Sequence, residues 1–354
     1  MLKKTLAAIG GSALVAGVIA LAGWRHIDSY VESPLPIAGP VTFVVEKGRG
    51  FTHIAGELEN LELIEHPLYL RLYARLHGLA HQVKAGEYQV EPGQSAADLL
   101  DKMVRGDILR HYFTIVEGTS FRQLRETLEQ NEVLEQTLAE LDDGEVMAKL
   151  GEPQRHAEGM FLAETYQFYR GMSDLDLLRR ARSALDESLE AAWQARQEGL
   201  PYENSYQALI MASIVEKETA VPDERPRISG VFVRRLRQGM RLQTDPTVIY
   251  GMGERYQGNL RRADLREATA YNTYVIDGLP PTPIAMVGTA AIDAALNPEP
   301  GPWLYFVAKG DGSHHFSSRL SEHNSAVRRY QLKRRENYRS TPGTDRCHQI
   351  EAVF

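Results

Sequence analysis

The residues best placed to do chemistry are two glutamates at the end of an apolar segment, Glu216 and Glu218. Apolar side chains cover most of the circumference of residues 208–215, which predicts a buried helix with Asn204 or Ser205 as its N-cap. A carboxyl group at the C-terminus of such a helix lies beside unpaired carbonyl groups and loses water, and both effects raise its pKa. A carboxyl group with a raised pKa is suited to act as a general acid.

The two glutamates cannot both face one cleft. Side chains two positions apart on a helix point about 200° from each other, so one is predicted to be catalytic and the other solvated or paired. No physical rule chooses between them, although the helix is expected to end within residues 219–222, which places Glu218 nearest the break. The alternative interpretation is an ordinary charged last turn on a core helix.

Four short motifs follow one another in the second half of the chain: residues 214–219 (IVEKET), 241–251 (RLQTDPTVIYG), 271–274 (YNTY) and 278–281 (GLPP). In this order they resemble the signatures of the endolytic murein transglycosylase family, also called YceG-like. The similarity also takes in the apolar N-terminus and about residues 41–117, and so covers nearly the whole chain. In that family the second glutamate of the Glu-Lys-Glu-Thr motif is catalytic, which implies Glu218 here.

The resemblance implies cleavage of the β-1,4 bond between N-acetylmuramic acid and N-acetylglucosamine inside peptidoglycan strands. The muramyl 6-hydroxyl would close on C1 and leave a 1,6-anhydro end, so one carboxyl group could serve first as acid and then as base. No cofactor and no metal are expected. One position departs from the family pattern, since relatives commonly carry Pro-Asp where this chain has Ala163-Glu164.

Polar and aromatic residues of the second and third motifs are suited to a saccharide groove, because sugars offer hydroxyl groups to polar side chains and C–H faces to aromatic rings. Two alternatives stay open: Asp245 could cap backbone N–H groups at a helix start, and residues 271–276 could be strand packing. The predicted substrate-binding residues are Gln243, Thr244, Asp245, Thr247, Tyr250, Tyr271, Asn272, Thr273 and Tyr274.

Two other functions remain as alternatives. A water-using muramidase needs a second carboxylate across the sugar from Glu218, for which Asp245 and Glu164 are the candidates. A scaffold that grips peptidoglycan beside synthesis enzymes would need no catalytic acid at all. The masses of digestion products separate the first alternative, and the behaviour of a Glu218→Gln protein separates the second.

Composition limits the class of protein. The 354 residues are 43% hydrophobic, and a net charge of −7 without a long basic run argues against nucleic acid as a partner. The single cysteine, Cys347, can form no internal disulfide, and the scattered histidines lack the companions of a metal cluster. The pair His314-His315 is therefore predicted to lie at the surface or in a groove.

The N-terminus predicts a membrane anchor. Residues 6–24 are apolar or small and would span about 28 Å as a helix, while Lys3 and Lys4 predict a cytoplasmic tail over residues 1–5. Everything after Trp24 would then lie outside the bacterial inner membrane, in the periplasm. A cleaved signal peptide, with a small-residue site at residues 20–22, is the alternative.

The remaining chain predicts an α+β protein. Residues 25–40 are expected to be a semi-extended linker, residues 41–112 a small LysM-like module, and residues 113–354 a lytic transglycosylase domain with a lysozyme-like fold. The expected partners are peptidoglycan strands, the membrane and, by the same resemblance, peptidoglycan synthases.

Several elements can be placed more closely within this outline. Ser95 and Asp98 predict a capped helix, residues 303–317 a hairpin, and residues 323–338 a closing helix. A further helix over residues 227–237 is expected to turn its arginines to solvent, namely Arg234, Arg235 and Arg237.

Overall fold

The structure is a computed structural model that describes the backbone of residues 2–331 and the side chains of residues 14–331. It confirms a mixed α+β fold with small antiparallel sheets. The chain forms two compact units, one of Met1–His111 with Gln167–Met172 and one of Tyr112–Tyr166 with Ser173–Phe354. Whether the first is a LysM-like module stays a prediction.

The first unit is built around one antiparallel strand pair, in which Phe43 lies opposite Tyr88. The helices pack their apolar faces on this pair, with Ile54, Leu58 and Leu99 fully enclosed. The predicted Ser95 cap is confirmed, since the Ser95 hydroxyl accepts from the Asp98 N–H and Asp98 accepts from the Ser95 N–H. Its elements are α1 (Leu2–Val31), β1 (Val41–Val45), α2 (Phe51–Asn60), α3 (Pro67–Leu76), β2 (Gly86–Val90) and α4 (Ala96–Arg105).

Helix α1 is longer than expected. It contains the predicted membrane segment, residues 6–24, of which the side chains up to residue 13 lie outside the described residues. Among the residues that are described, no helix combines the length and apolar character that crossing a membrane requires. The extended connector begins later than predicted, because α1 continues to Val31, which packs in the core of the first unit with Leu35.

The second unit is mainly helical. Strand β5 pairs with β6 as the predicted antiparallel hairpin, with Tyr305 opposite Ser317, and β3 pairs with β4. The strands β3 and β4 each contain residues of both units. The elements are β3 (His111–Thr114), α5 (Phe121–Glu129), α6 (Asp143–Lys149), β4 (Thr165–Phe168), α7 (Asp174–Gln194), α8 (Ser205–Glu218), α9 (Arg225–Arg237), α10 (Asp245–Met252), α11 (Thr289–Leu296), β5 (Tyr305–Ala308), β6 (His314–Ser317) and α12 (Leu320–Tyr330).

Helix α8 is the buried centre of this unit, packed by α7, α9, α10 and α11. Its N-cap is Asn204, whose side chain accepts from the Gln207 N–H at 3.1 Å. Every residue from 208 to 216 is buried. The Ser213 hydroxyl accepts from the Ile284 N–H at 3.0 Å, which connects the segment around Ile284 to the helix. The helix is therefore a rigid support for the glutamate at its last position.

The structure differs from two predictions made for the C-terminal part of the chain. Helix α12 begins at Leu320 and is described to Tyr330, while residues 332–338 and Cys347 lie outside the described residues. His314 is buried, which makes the surface prediction wrong for it, whereas His315 is exposed. Burial of His314 is compensated by Glu224, which accepts from its backbone N–H at 2.9 Å and lies 2.7 Å from its Nδ1.

Candidate active site

Glu218 ends α8, and its side chain keeps partial access to solvent although protein surrounds the carboxyl group closely. The hydroxyl of Thr244 donates to its Oε1. Burial is the main cause that raises the pKa of Glu218 to about 7, and the charge of Asp245 acts in the same direction. The Thr244 hydrogen bond and the charge of Arg235 act against this rise. The carboxyl group therefore holds a proton in a large fraction of molecules near neutral pH, in a residue that is not fully enclosed.

Glu216 lies on the other side of the helix and is the paired member of the two glutamates. Its Oε1 accepts from Arg225 Nη2 at 2.9 Å, and its Oε2 accepts from the Gly288 N–H at 3.2 Å. Arg225 also donates to Glu117 at 3.3 Å. Burial raises the pKa of Glu216, while Arg225 opposes that rise. These bonds fasten the end of α8 to its neighbours and leave Glu218 as the unpaired acid of the motif.

The segment before α10 carries the hydrogen-bond donor for Glu218. Thr244 occupies the N-cap position of α10, and its N–H donates to the Thr273 hydroxyl at 3.0 Å. Thr247 donates to the Thr244 carbonyl at 2.8 Å and lies 2.8 Å from the Thr273 hydroxyl. Asn272 is fully buried beside them. Thr244, Thr247, Asn272 and Thr273 are thus held inside the protein, and a substrate contact for any of them stays a prediction.

Asp245 is the second carboxylate near Glu218. Of the two roles left open for Asp245, capping of backbone N–H groups is not observed: it is the first residue of α10, and the N-cap position of that helix has no side-chain hydrogen bond. Its Oδ1 instead accepts from the hydroxyl of Tyr274 at 2.7 Å. Glu164, the other candidate for a second carboxylate, is exposed and acts on the pKa of Tyr166.

Residues 271–276 form turns and not the strand that their alternation allowed. Asn272 causes this, since its side-chain amide donates to the carbonyls of Asp264 and Glu267 at 3.1 and 2.7 Å. Its backbone carbonyl accepts from the Val275 N–H at 2.9 Å. The turns place Tyr271 edge-to-face with Tyr250, their ring centroids 4.8 Å apart and both side chains partly accessible. Such an aromatic pair is suited to a sugar face.

Glu158 is a buried acid that sequence reasoning missed. Only 4% of the residue is exposed, and its Oε1 accepts from the Phe121 N–H at 3.0 Å. Burial raises the pKa of Glu158 to about 7, while the Phe121 N–H and the nearby Tyr250 hydroxyl act against this rise. The one signal in the sequence is its position as a single charge within the small and apolar residues 157–163. Glu158 thus holds the start of α5 and acts by its charge on Tyr250.

We expect Glu158→Gln to stabilise the protein at alkaline pH. The folded-state pKa of about 7 exceeds the unfolded value of about 4.3, so ionisation costs stability as pH rises between them, and the cost is constant above pH 7. Glutamine removes this cost and can still accept from the Phe121 N–H. The gain in free energy of unfolding should reach about 1–3 kcal/mol at pH 8 and vanish near pH 4.5, as measured by urea unfolding.

The control for this change is Glu164→Gln, which removes an exposed carboxyl group in the same segment and should alter stability little at either pH. An equal effect of Glu158→Gln at pH 4.5 and pH 8 would contradict the expectation, because a pH-independent change cannot come from the ionisation of this residue.

The arginines of α9 do not form the solvated face that was predicted. Arg234 donates to the carbonyls of Trp303 and Glu299 at 2.8 and 3.0 Å, and Arg235 is only 8% exposed. Arg237 alone of the three is exposed. The prediction fails because backbone carbonyls accept from Nε and Nη1 of Arg234 and of Arg235, and the helical pattern of the sequence does not show such partners.

No group of His, Cys, Asp and Glu among the described residues has the arrangement to hold a metal ion. The site around Glu218 is therefore a partly exposed acid with a raised pKa, a hydroxyl donor from Thr244, the carboxylate of Asp245 and the tyrosine that donates to it, Tyr274.

Comparison with known proteins points in one direction. The family model described as the YceG-like family matches residues 43–329. The chain is 28% identical over 307 residues to a Bacillus subtilis (strain 168) protein named endolytic murein transglycosylase, covering 82% of this chain and 84% of that one. A Streptococcus pneumoniae protein of the same name is 25% identical over 347 residues, which cover 88% of this chain and 62% of the relative.

Among solved structures, the chain resembles a yceG-like protein from Listeria monocytogenes. The TM-score is 0.53 at 28% sequence identity, and the match covers 82% of this chain and 99% of that one.

Proposed function

The chain belongs to the YceG-like family, and we propose that it is an endolytic lytic transglycosylase of peptidoglycan with Glu218 as its acid and base. The observation that carries the proposal is the single glutamate at the end of α8, which keeps a proton near neutral pH and remains partly accessible. The names of the relatives support the substrate.

The reaction begins with the protonated Glu218. Its proton goes to the oxygen that links N-acetylmuramic acid to N-acetylglucosamine, and the bond from muramyl C1 to that oxygen breaks. The resulting Glu218 carboxylate takes the proton of the muramyl 6-hydroxyl, whose oxygen forms the new bond to C1. No water is consumed, the products are a 1,6-anhydro end and a free 4-hydroxyl, and Glu218 is protonated again. One residue with a pKa near 7 suits both steps.

The proposed glycan groove is made of the tyrosines and the exposed polar residues of the second and third motifs, of which Asp245 and Tyr274 act on Glu218 or are acted on by it. Tyr250 and Tyr271 offer adjoining ring edges and faces, while Gln243 and Asp245 are exposed beside the acid. Tyr274 is held by its bond to Asp245. The buried Thr244, Thr247, Asn272 and Thr273 would act on the substrate through these neighbours.

The location and partners are proposals that rest on the sequence. The apolar residues 6–24, with lysines before them, favour a single anchor in the bacterial inner membrane and a periplasmic catalytic unit. A position beside peptidoglycan synthases follows from the family alone.

A water-using muramidase is the second candidate, and one observation favours it. Asp245 is close enough for its charge to raise the pKa of Glu218, and a carboxylate in that position could activate a water.

Digestion of purified, uncrosslinked glycan strands tests the proposal. We expect internal fragments of many lengths whose ends are one water lighter than hydrolysed ends. The rate should fall as pH rises above about 7, because deprotonated Glu218 cannot act as the acid. Fragments that all carry ordinary reducing ends would support the muramidase, and release of disaccharides only from strand ends would contradict endolytic cleavage.

A further inference from the structure

Arg235 makes an unusual set of contacts for a residue in the last turn of a helix. Its Nε donates to the Leu304 carbonyl at 2.7 Å, and its Nη1 donates to the Leu242 carbonyl at 2.7 Å and the Arg241 carbonyl at 3.3 Å. The guanidinium lies over the Tyr305 ring, 5.2 Å from its centroid. One buried cation thus joins β5 to the segment between α9 and α10.

That segment has a backbone conformation that needs support. Gln243 has a φ of +52°, in the left-handed region that is unfavourable for a residue with a Cβ. Arg235 holds the two carbonyls before it. After it, Thr273 fixes the chain, because its carbonyl accepts from the Gln243 N–H at 3.1 Å and its hydroxyl from the Thr244 N–H at 3.0 Å.

The backbone conformation of Gln243 sets the direction of the Thr244 side chain. Once Gln243 is held in the left-handed region, the Thr244 hydroxyl meets the Glu218 carboxyl group and donates to it. An ordered donor of this kind fixes which oxygen of a carboxyl group carries the proton and which accepts. Arg235 is therefore connected to Glu218 by contacts: it binds the carbonyls of residues 241 and 242, and Thr244, two residues later, donates to Glu218.

Charge provides a second link between the two residues. The groups that act on Glu218 come from several elements: Arg235 from α9, and Thr244 and Asp245 from the start of α10. Tyr274 faces it from the turns of residues 271–276, since the charge of Glu218 acts on the tyrosine. Arg235 also acts on His323 of α12 and is influenced by Tyr305 and Tyr274. Within this set, Arg235 is the cation that opposes Asp245.

We propose that Arg235 is a positioning residue for Glu218, which it serves by fixing residues 241–244 so that Thr244 meets the acid and by favouring the ionised carboxylate. The proposal deepens the proposed function and rests on it for the catalytic part. Its consequence is that Glu218 gives up its proton to the glycosidic oxygen more readily than burial beside Asp245 alone would allow.

Two replacements of Arg235 distinguish the role of its guanidinium hydrogen bonds from the role of its charge. Arg235→Lys keeps a cation but has no planar fork that could serve three carbonyls, whereas Arg235→Met removes both. We expect kcat to fall about 10- to 100-fold in each, because the Thr244 hydroxyl no longer meets the acid. KM should change less than about threefold, because Tyr250 and Tyr271 of the proposed groove lie outside residues 241–244. The alkaline limb of the pH–rate profile should move to higher pH in both variants, because both weaken the Thr244 hydrogen bond that lowers the pKa of Glu218, and it should move farther in the methionine variant, which also loses the cation.

The matched control is Arg237→Met, which removes an exposed arginine from the same helical turn and should leave kcat and the pH profile unchanged. A wild-type kcat and pH profile for Arg235→Met, or a loss that Arg237→Met shares, would overturn the proposal. If Arg235→Met does not fold, Arg235→Lys and Thr244→Val carry the positioning test, since both should lower kcat.

A measurement without substrate distinguishes this proposal from the proposed function. Carbon-13 NMR of the glutamate carboxyl groups, with Glu218→Gln used for assignment, gives the pKa of Glu218 directly. We expect a higher pKa in Arg235→Met than in wild type, even if the protein were to cut no glycan. An unchanged pKa would overturn the electrostatic part, whereas absence of glycan cleavage by the wild type would contradict only the proposed function.

Discussion

Replacing Glu218 by glutamine is expected to lower glycan cleavage roughly a thousandfold or more. The amide can neither protonate the glycosidic oxygen nor accept the proton of the 6-hydroxyl, so both steps lose their proton carrier. Glutamine is nearly the same size and can still accept from Thr244, which leaves the site in place. The measurement is the release of soluble fragments from purified glycan strands at equal concentrations of the two proteins.

The same variant should be more stable than wild type above pH 7. The folded-state pKa of Glu218 is raised to about 7, so its ionisation costs stability as pH rises from about 4.3 towards 7. A dead but stabilised protein would show that the loss of activity is chemical and not a consequence of unfolding. Cleavage by the variant at the wild-type rate would show that another residue is the acid, and absence of cleavage by both proteins would leave the scaffold as the better interpretation of the chain.

Asp245→Asn is the matched comparison, because it neutralises the other carboxylate of the site without changing its shape. If Glu218 works alone, this change should cost about tenfold at most, through the groove and the pKa of Glu218. A loss as large as that of Glu218→Gln would favour the muramidase, in which two carboxylates are essential.

Replacing Arg225 by methionine is expected to produce the largest loss of stability. Only 4% of the Glu216 side chain is exposed, and Arg225 is its ion-pair partner at 2.9 Å. Removal of one member of a buried pair leaves an uncompensated charge and typically costs about 3–5 kcal/mol. We expect a fall of that size in the free energy of unfolding at pH 8, measured by urea unfolding, because Glu216 is ionised there in the unfolded chain.

The control is the double variant Glu216→Gln with Arg225→Met, which removes both charges. It should recover at least half of the loss, since the main penalty lies in the unpaired carboxylate and not in the absent attraction. A single variant that loses less than about 1 kcal/mol would show that water reaches Glu216, and the pair would then have no structural role at the end of α8.

Local signals predicted the supporting elements of the fold. The apolar run of α8 and its Asn204 cap, the Ser95 cap of α4 and the hairpin of β5 and β6 all depend on residues close together in the chain. The difference between Glu216 and Glu218 also follows from helix geometry, although the choice of Glu218 as the acid came from the family motif and stays a proposal.

The errors share one cause, which is a partner far away in sequence. Burial of Arg235 is compensated by the carbonyl of Leu304, and burial of His314 is compensated by Glu224. Glu158 was missed for the same reason, since it lies in a turn and the Phe121 N–H that makes its burial tolerable belongs to α5, 37 residues earlier in the chain. A sequence shows the polarity of each residue but not the distant group that compensates its burial.

The chemistry of the new strand ends tests the central claim most directly. Glycan strands digested by the wild-type protein are treated with borohydride, which reduces ordinary sugar ends but not 1,6-anhydro ends, and the fragments are then weighed by mass spectrometry. We expect ends that are one water lighter and unaffected by borohydride, made by the wild type and absent with Glu218→Gln. Ends that borohydride reduces would show that water had attacked, and the single-acid mechanism would be wrong.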